Sequence, residues 1–124
     1  MRCLLLACVL LCNVASADEI LIVGNNYSIP KIYAEGDQPQ GMLVDILRYV
    51  DAAMPEHQIN LHLYPWARAY KMAESGQAGI IGLSWTTERQ EVFDYSEALF
   101  YDEVVVVVRH DDKLIFNRIE DLKG

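Results

Sequence analysis

The stretch Gly82-Leu83-Ser84-Trp85-Thr86-Thr87-Glu88-Arg89 carries residue types that recognise a small charged molecule. Thr86 is a favoured N-cap, and a helix starting after it would present backbone amides to an anion. Arg89 then falls at the third helical position, where a cation opposes the helix dipole. A local rule broken at the end of a strand points to a bound anion that offsets the cost. A guanidinium fork beside helix amides is a natural carboxylate clamp. The plainer reading pairs Arg89 with nearby Asp94 or with solvent, and the residues alone leave both open.

Other chemistries find less support. No G-x-S-x-G, H-E-x-x-H or phosphate-loop pattern occurs, and nothing pairs a nucleophile with a base, so catalysis is not expected. His57 and His62 are five apart on an expected strand, hence on opposite faces, and do not chelate one metal. His110-Asp111-Asp112 reads as a solvated loop. No metal site and no cofactor are expected. Trp66 and Trp85 suit either a core or a ligand contact, and Arg68 either a cleft or solvent.

These residues need elements to hold them. Residues 19–24 (EILIVG) read as a buried strand ended by Gly24. Residues 25–40, rich in Asn, Gly, Pro, Asp and Gln, read as loop with a turn near Glu35-Gly36-Asp37. Met42, Leu43, Ile46, Leu47, Val50, Ala53 and Met54 form a helical stripe that Pro55 ends. Residues 58–64 alternate, with Ile59, Leu61 and Leu63 on one face. Pro65 opens a second helix, with Trp66, Ala69, Tyr70 and Ala73 on one side and Ser75-Gly76 as its stop. Residues 78–83 (AGIIGL) read as a strand that small residues allow to pack closely, and 86–92 as a short helix. The order β-α-β-α-β predicts an α/β fold with a parallel sheet covered on both sides, and ligands of such sheets bind at the carboxyl ends of the strands.

Residues 104–108 are five consecutive valines, which predict a strand buried on both faces. Such a strand needs neighbours and cover that few following residues can supply. The chain is therefore expected to be an N-terminal portion of a larger protein. Ile119 to Leu122 would begin another helix.

The first 17 residues read as a leader. Arg2 precedes the apolar run 3–12, and Ala15-Ser16-Ala17 offers a cleavage site before Asp18. Leu5-Leu6-Ala7-Cys8 resembles a lipoprotein box but stands too close to the start to leave a working apolar region. The run is about half of the ~20 residues a membrane span needs. Cys3, Cys8 and Cys12 would leave with the leader, so the exported chain would hold no disulfide. A cysteine-free exported domain fits a bacterial periplasm and a packed core. With 52% hydrophobic and 23% charged residues, the chain has the balance of a globular domain. Its 18 Asp and Glu against 10 Lys and Arg, a net charge of -8, exclude a nucleic-acid partner and disfavour an anionic membrane surface.

Gly82-x-Ser84-x-Thr86-x-Glu88-Arg89 followed by Phe93-Asp94-Tyr95-Ser96 resembles the core signature of the periplasmic solute-binding proteins of ABC uptake systems, family 3, the polar amino-acid-binding group. Gly41-Met42-Leu43-Val44-Asp45-Ile46, Pro65-Trp66, Glu74-Ser75-Gly76 and Ile119-Glu120-Asp121-Leu122-Lys123-Gly124 match the same family in the right order. Met42 stands where the family usually has Phe, Thr87 where it often has Pro, and Trp85 replaces a small aliphatic residue. The resemblance implies two α/β lobes joined by hinge strands, with ligand held between them. Lobe one would be residues 18–101. Residues 102–124 would be a hinge strand and the truncated opening of lobe two. It further implies that Gly82 and Ser84 hold the α-ammonium of an amino acid or similar zwitterion, and Thr86 and Arg89 its α-carboxylate. Trp66 and Tyr27 would pack on the ligand side chain. The implied partner is an ABC permease in the inner membrane, with no direct membrane insertion after cleavage.

The same fold also serves as a sensory input module ahead of membrane signalling domains, and as the non-catalytic domain of lytic transglycosylase-like enzymes. A downstream membrane span or a catalytic extension would mark those alternatives. The isolated chain is expected to bind ligand weakly and to self-associate through its valine run.

Overall fold

The computed structural model describes residues 18–112, 117–118 and 120. The expected leader lies outside them, as does the expected helix from Ile119 to Leu122 apart from Glu120. Nine elements follow in order: β1 (Asp18–Asn25), β2 (Tyr27–Ser28), β3 (Ile32–Glu35), β4 (Gln38–Gln40), α1 (Met42–Ala53), β5 (His57–Tyr64), α2 (Trp66–Glu74), β6 (Gly79–Ile80) and α3 (Thr87–Gln90).

A parallel sheet runs β5-β1-β6. β1 and β5 pair along their whole length, from Asp18 opposite His57 to Asn25 opposite Tyr64. β6 pairs only through Gly79 and Ile80, opposite Ile22 and Val23. The step from β1 to β5 and the step from β5 back past β1 to β6 run in opposite directions. Right-handed crossovers then place α1 and α2 on opposite faces of the sheet. The expected two-sided α/β arrangement is what the structure shows.

One face carries Ile32, Leu43, Val44 and Ile81, with Ile22, Leu61, Leu63 and Phe100 packed around them. α2 lies along β1, burying Ala69 and Ala73, while Val23 is fully buried. Small residues on α2 let the helix approach the strand closely. The expected α1 stripe is shifted: Leu43 and Val44 are buried, whereas Met42 and Ala53 are exposed.

Two expectations change. Residues 25–40 are not plain loop. β2, β3 and β4 form an antiparallel ribbon, with Tyr27 opposite Tyr33 and Glu35 opposite Gln38. Its strands are too short and polar to show alternation, and Pro39 is tolerated because β4 is an edge. The turn at Gly36-Asp37 falls where expected. The valine run 104–108 is the second change. It forms no strand, and Val104 is 97% and Val107 87% exposed. Five β-branched residues favour extended backbone, but a strand exists only when a neighbour completes its ladder, and no described residue does so.

Gly41 is the join between the ribbon and α1. Its φ is 111°, and a Cβ there would stand 2.6 Å from the Lys31 carbonyl oxygen. That carbonyl instead accepts the Leu43 amide at 2.9 Å, satisfying one of the unpaired amides of the first turn. At the other end of α1, the Asp51 carboxylate accepts the Ile59 amide at 2.6 Å and ties the helix to β5. Pro65 precedes α2, and Ser75-Gly76 ends it with Gly76 at φ 73°, both as expected.

Candidate functional site

All three parallel strands end at the same edge of the sheet. β1 delivers Asn25 there, β5 delivers Pro65 and Trp66 just past its end, and β6 runs into Gly82 and Ser84. Asn25, Trp66, Gly82, Ser84 and Trp85 line one cavity of about 950 Å³. The segment 92–102, which follows α3 in the chain, lines the same cavity. Gly82 makes the turn out of β6 at φ 78°, and a Cβ there would come within 3.1 Å of Leu43 Cδ1. A left-handed turn pressed onto the core favours glycine.

α3 starts as the sequence predicted. Thr86 is extended, and its Oγ1 accepts the Arg89 amide at 3.2 Å. The Arg89 guanidinium donates from Nη1 to the Ser84 carbonyl at 2.9 Å and lies over the Tyr70 ring at 5.9 Å. Tyr95 donates its hydroxyl to the same carbonyl at 3.2 Å. No carboxylate pairs with Arg89 among the described residues, so the Asp94 pairing does not form. Several N–H donors of the guanidinium therefore remain for a ligand. The Ser84 hydroxyl likewise has no partner among the described residues.

The helix amides are less open than the sequence suggested. The backbone amide of Glu88 and then the Thr86 hydroxyl stabilise the Glu88 carboxylate, holding its pKa below the ordinary glutamate value. With Thr86 on the Arg89 amide, much of this short helix's donor capacity is used within the chain. Burial pushes the Tyr95 phenol up, against the lowering effect of the Arg89 charge, with Tyr70 adding a smaller upward push.

The structure brings Trp66, Gly82 and Ser84 to one cavity. Thr86 and Arg89 stand beside it without lining it, and Tyr27 does not line it at all. Tyr27 sits on the ribbon and is 81% exposed. Arg68 stacks on Tyr64, 4.1 Å from the ring centroid, and is not a lining residue.

Two residues escaped the sequence reading. Tyr70 touches Trp66 at 6.0 Å and Phe93 edge-on at 5.3 Å, so it joins α2, the 92–102 wall and Arg89. Its spacing of four from Trp66 on one helix was the available signal. Lys31 lines the cavity, ion-pairs with Asp102 and faces the Phe100 ring at 5.6 Å. Nothing in its surrounding residues marked it. Among the described residues no cluster of His, Cys, Asp and Glu could hold a metal, and no helix is long and apolar enough to cross a membrane.

A lobe with its cavity at the carboxyl edge of a parallel sheet defines a class of ligand-capturing α/β modules. Residues 20–122 match the model of the bacterial extracellular solute-binding proteins, family 3, and the chain belongs to that family. Among solved structures it is similar to the second substrate-binding domain of GlnP from Lactococcus lactis in its open conformation, with 30% identity and a TM-score of 0.56. That match covers 63% of this chain and 34% of the other, so this chain spans about a third of its neighbour's length. No curated protein sequence matches it. The architecture is that of part of a periplasmic-binding-protein lobe.

Proposed function

We propose that this chain captures a small polar solute, an amino acid by class, at the carboxyl edge of its sheet. The carrying observation is the convergence of Trp66, Gly82 and Ser84 on one cavity beside an Arg89 guanidinium that has no acidic partner among the described residues. Family membership and the likeness to a substrate-binding domain support the reading.

In this reading the Gly82 carbonyl and the Ser84 hydroxyl take the α-ammonium, while Arg89 and Thr86 take the α-carboxylate. Trp66 packs on the ligand side chain, and Tyr27 joins it only if the ribbon moves inward. Residues 1–17 are a leader removed on export to the periplasm. Residues 18–101 act as lobe one, and 102–124 as the hinge strand and opening of lobe two. The role is binding rather than catalysis, with delivery to an ABC permease.

A panel of amino acids titrated into the chain, followed by NMR of the amides of residues 82–89, tests this. Saturable shifts are expected. Arg89→Ala removes hydrogen bonds worth about 0.5–1.5 kcal/mol each in an open site, so affinity should fall about 5- to 150-fold for a two-bond contact. Arg89→Lys should lose nearly as much, because it lacks the planar fork. Shifts that persist unchanged in Arg89→Ala would remove the clamp, and no shifts with any amino acid would remove the ligand class.

A further inference from the structure

Arg89 stands on a built support. The Thr86 hydroxyl accepts its amide at 3.2 Å, and its own carbonyl accepts the amides of Val92 at 3.0 Å and Phe93 at 2.9 Å. These bonds fix the Arg89 backbone and, through Phe93, set the course of the chain that leads to Tyr95.

Two groups hold the side chain. Nη1 donates to the Ser84 carbonyl at 2.9 Å, and the guanidinium carbon lies 5.9 Å from the Tyr70 ring centroid, within reach of a cation–π contact. Tyr70 is itself set by ring contacts to Trp66 and Phe93. The Ser84 carbonyl has no such frame, since residues 83–86 belong to no helix or strand. Within residues 82–85 it is the one backbone group with a hydrogen bond among the described residues, and its second donor is the Tyr95 hydroxyl at 3.2 Å. A carbonyl oxygen has two lone pairs, so it accepts both donors at once. Tyr95 is therefore the tie on this carbonyl that does not come from Arg89. A support held only by the group it supports would move with that group. Burial raises the Tyr95 phenol above its ordinary value, which keeps it a donor at neutral pH.

We propose that Tyr95 is a positioning residue for Arg89: its hydroxyl pins the Ser84 carbonyl, and that carbonyl together with the Tyr70 ring holds the guanidinium still. A fork ordered before binding loses less rotamer freedom when a carboxylate arrives. The consequence for affinity rests on the proposed solute site, whereas the bracing is present without ligand.

Nitrogen-15 NMR of the arginine side chains in the ligand-free full chain reads the bracing. Arg68 is the internal reference, because its guanidinium stacks on Tyr64 at 4.1 Å but makes no hydrogen bond among the described residues. Rotation about Nε–Cζ should be slower at Arg89 than at Arg68. Tyr95→Phe should speed it at Arg89 by about 2- to 12-fold, the equivalent of one ordinary hydrogen bond, and leave Arg68 unchanged. Titration with a panel of amino acids reads the consequence. Tyr95→Phe should weaken binding by about the same 2- to 12-fold, and should weaken it no further in an Arg89→Ala background. A merely structural role would cost both backgrounds equally. Rotation at Arg89 as fast as at Arg68 would overturn the proposal, as would a rate that Tyr95→Phe does not move. So would an affinity that Tyr95→Phe leaves unchanged, or a loss that persists in full without Arg89. If the wild-type chain binds no amino acid, the solute reading fails, and the rotation rates still decide the bracing.

Discussion

β1 and the valine run 104–108 are both rich in β-branched and aliphatic residues, yet they have opposite fates. Val23 in β1 is fully buried, with β5 on one side, β6 on the other and α2 across it. Val104 is 97% exposed, with no strand beside it among the described residues. Composition does not separate them; neighbours do. A strand is stabilised by cross-strand pairs and by packing on its faces, and β propensity measures how well a residue fits such a surface once it is there.

The contrast is tested most severely by truncation in each region. Leu43 is 1% exposed in the core, and Leu43→Ala should destabilise the chain by about 2–5 kcal/mol. Val104→Ala should stay within about 0.5 kcal/mol in dilute solution. Urea unfolding of both variants measures the difference. Equal losses would mean that the valine run is packed in solution.

A smaller effect separates two glycines of the ribbon. Gly41 and Gly36 both have positive φ, at 111° and 61°. A side chain at Gly36 meets nothing within 4 Å, while one at Gly41 meets the Lys31 carbonyl. Gly36→Ala should cost about 1–2 kcal/mol from backbone strain alone. Gly41→Ala should cost more, since it also displaces the carbonyl that caps α1. Thermal melts rank the two, and a reversed order would show that the ribbon does not hold α1 in place.

The smallest effect lies at α3. Glu88 has a lowered pKa in the folded chain. Its contribution to stability is therefore present above the ordinary glutamate pKa and is lost as pH falls through the lowered folded value. Because Glu88 is fully exposed, the change should be slight. Carboxyl NMR titration should place Glu88 below an ordinary glutamate, and Glu88→Gln should flatten the acid limb of the stability profile. Titration at or above the ordinary value would show that its capping contacts do not persist.

The sequence alone determined the elements with strong local signals. The extents of α1, α2 and β5, the Pro55 and Ser75-Gly76 stops and the Thr86 cap all stand within a residue or two of where periodicity and capping place them. These depend on spacing within a few residues, which a linear reading captures. Family membership was equally legible, because Gly82, Ser84, Thr86 and Arg89 sit close together in the chain.

Only the tertiary structure decided what depends on distant partners. The three-stranded ribbon exists because Tyr33 finds both Tyr27 and Gln40 across it, which no local pattern announces. Lys31 reaches the cavity because Asp102, far along the chain, returns to meet it. Tyr70 became a junction only when Phe93 packed against its edge. The valine run stayed bare for the same reason in reverse. Burial, pairing and cavity walls are made between segments, so their energies are absent from any one segment read by itself.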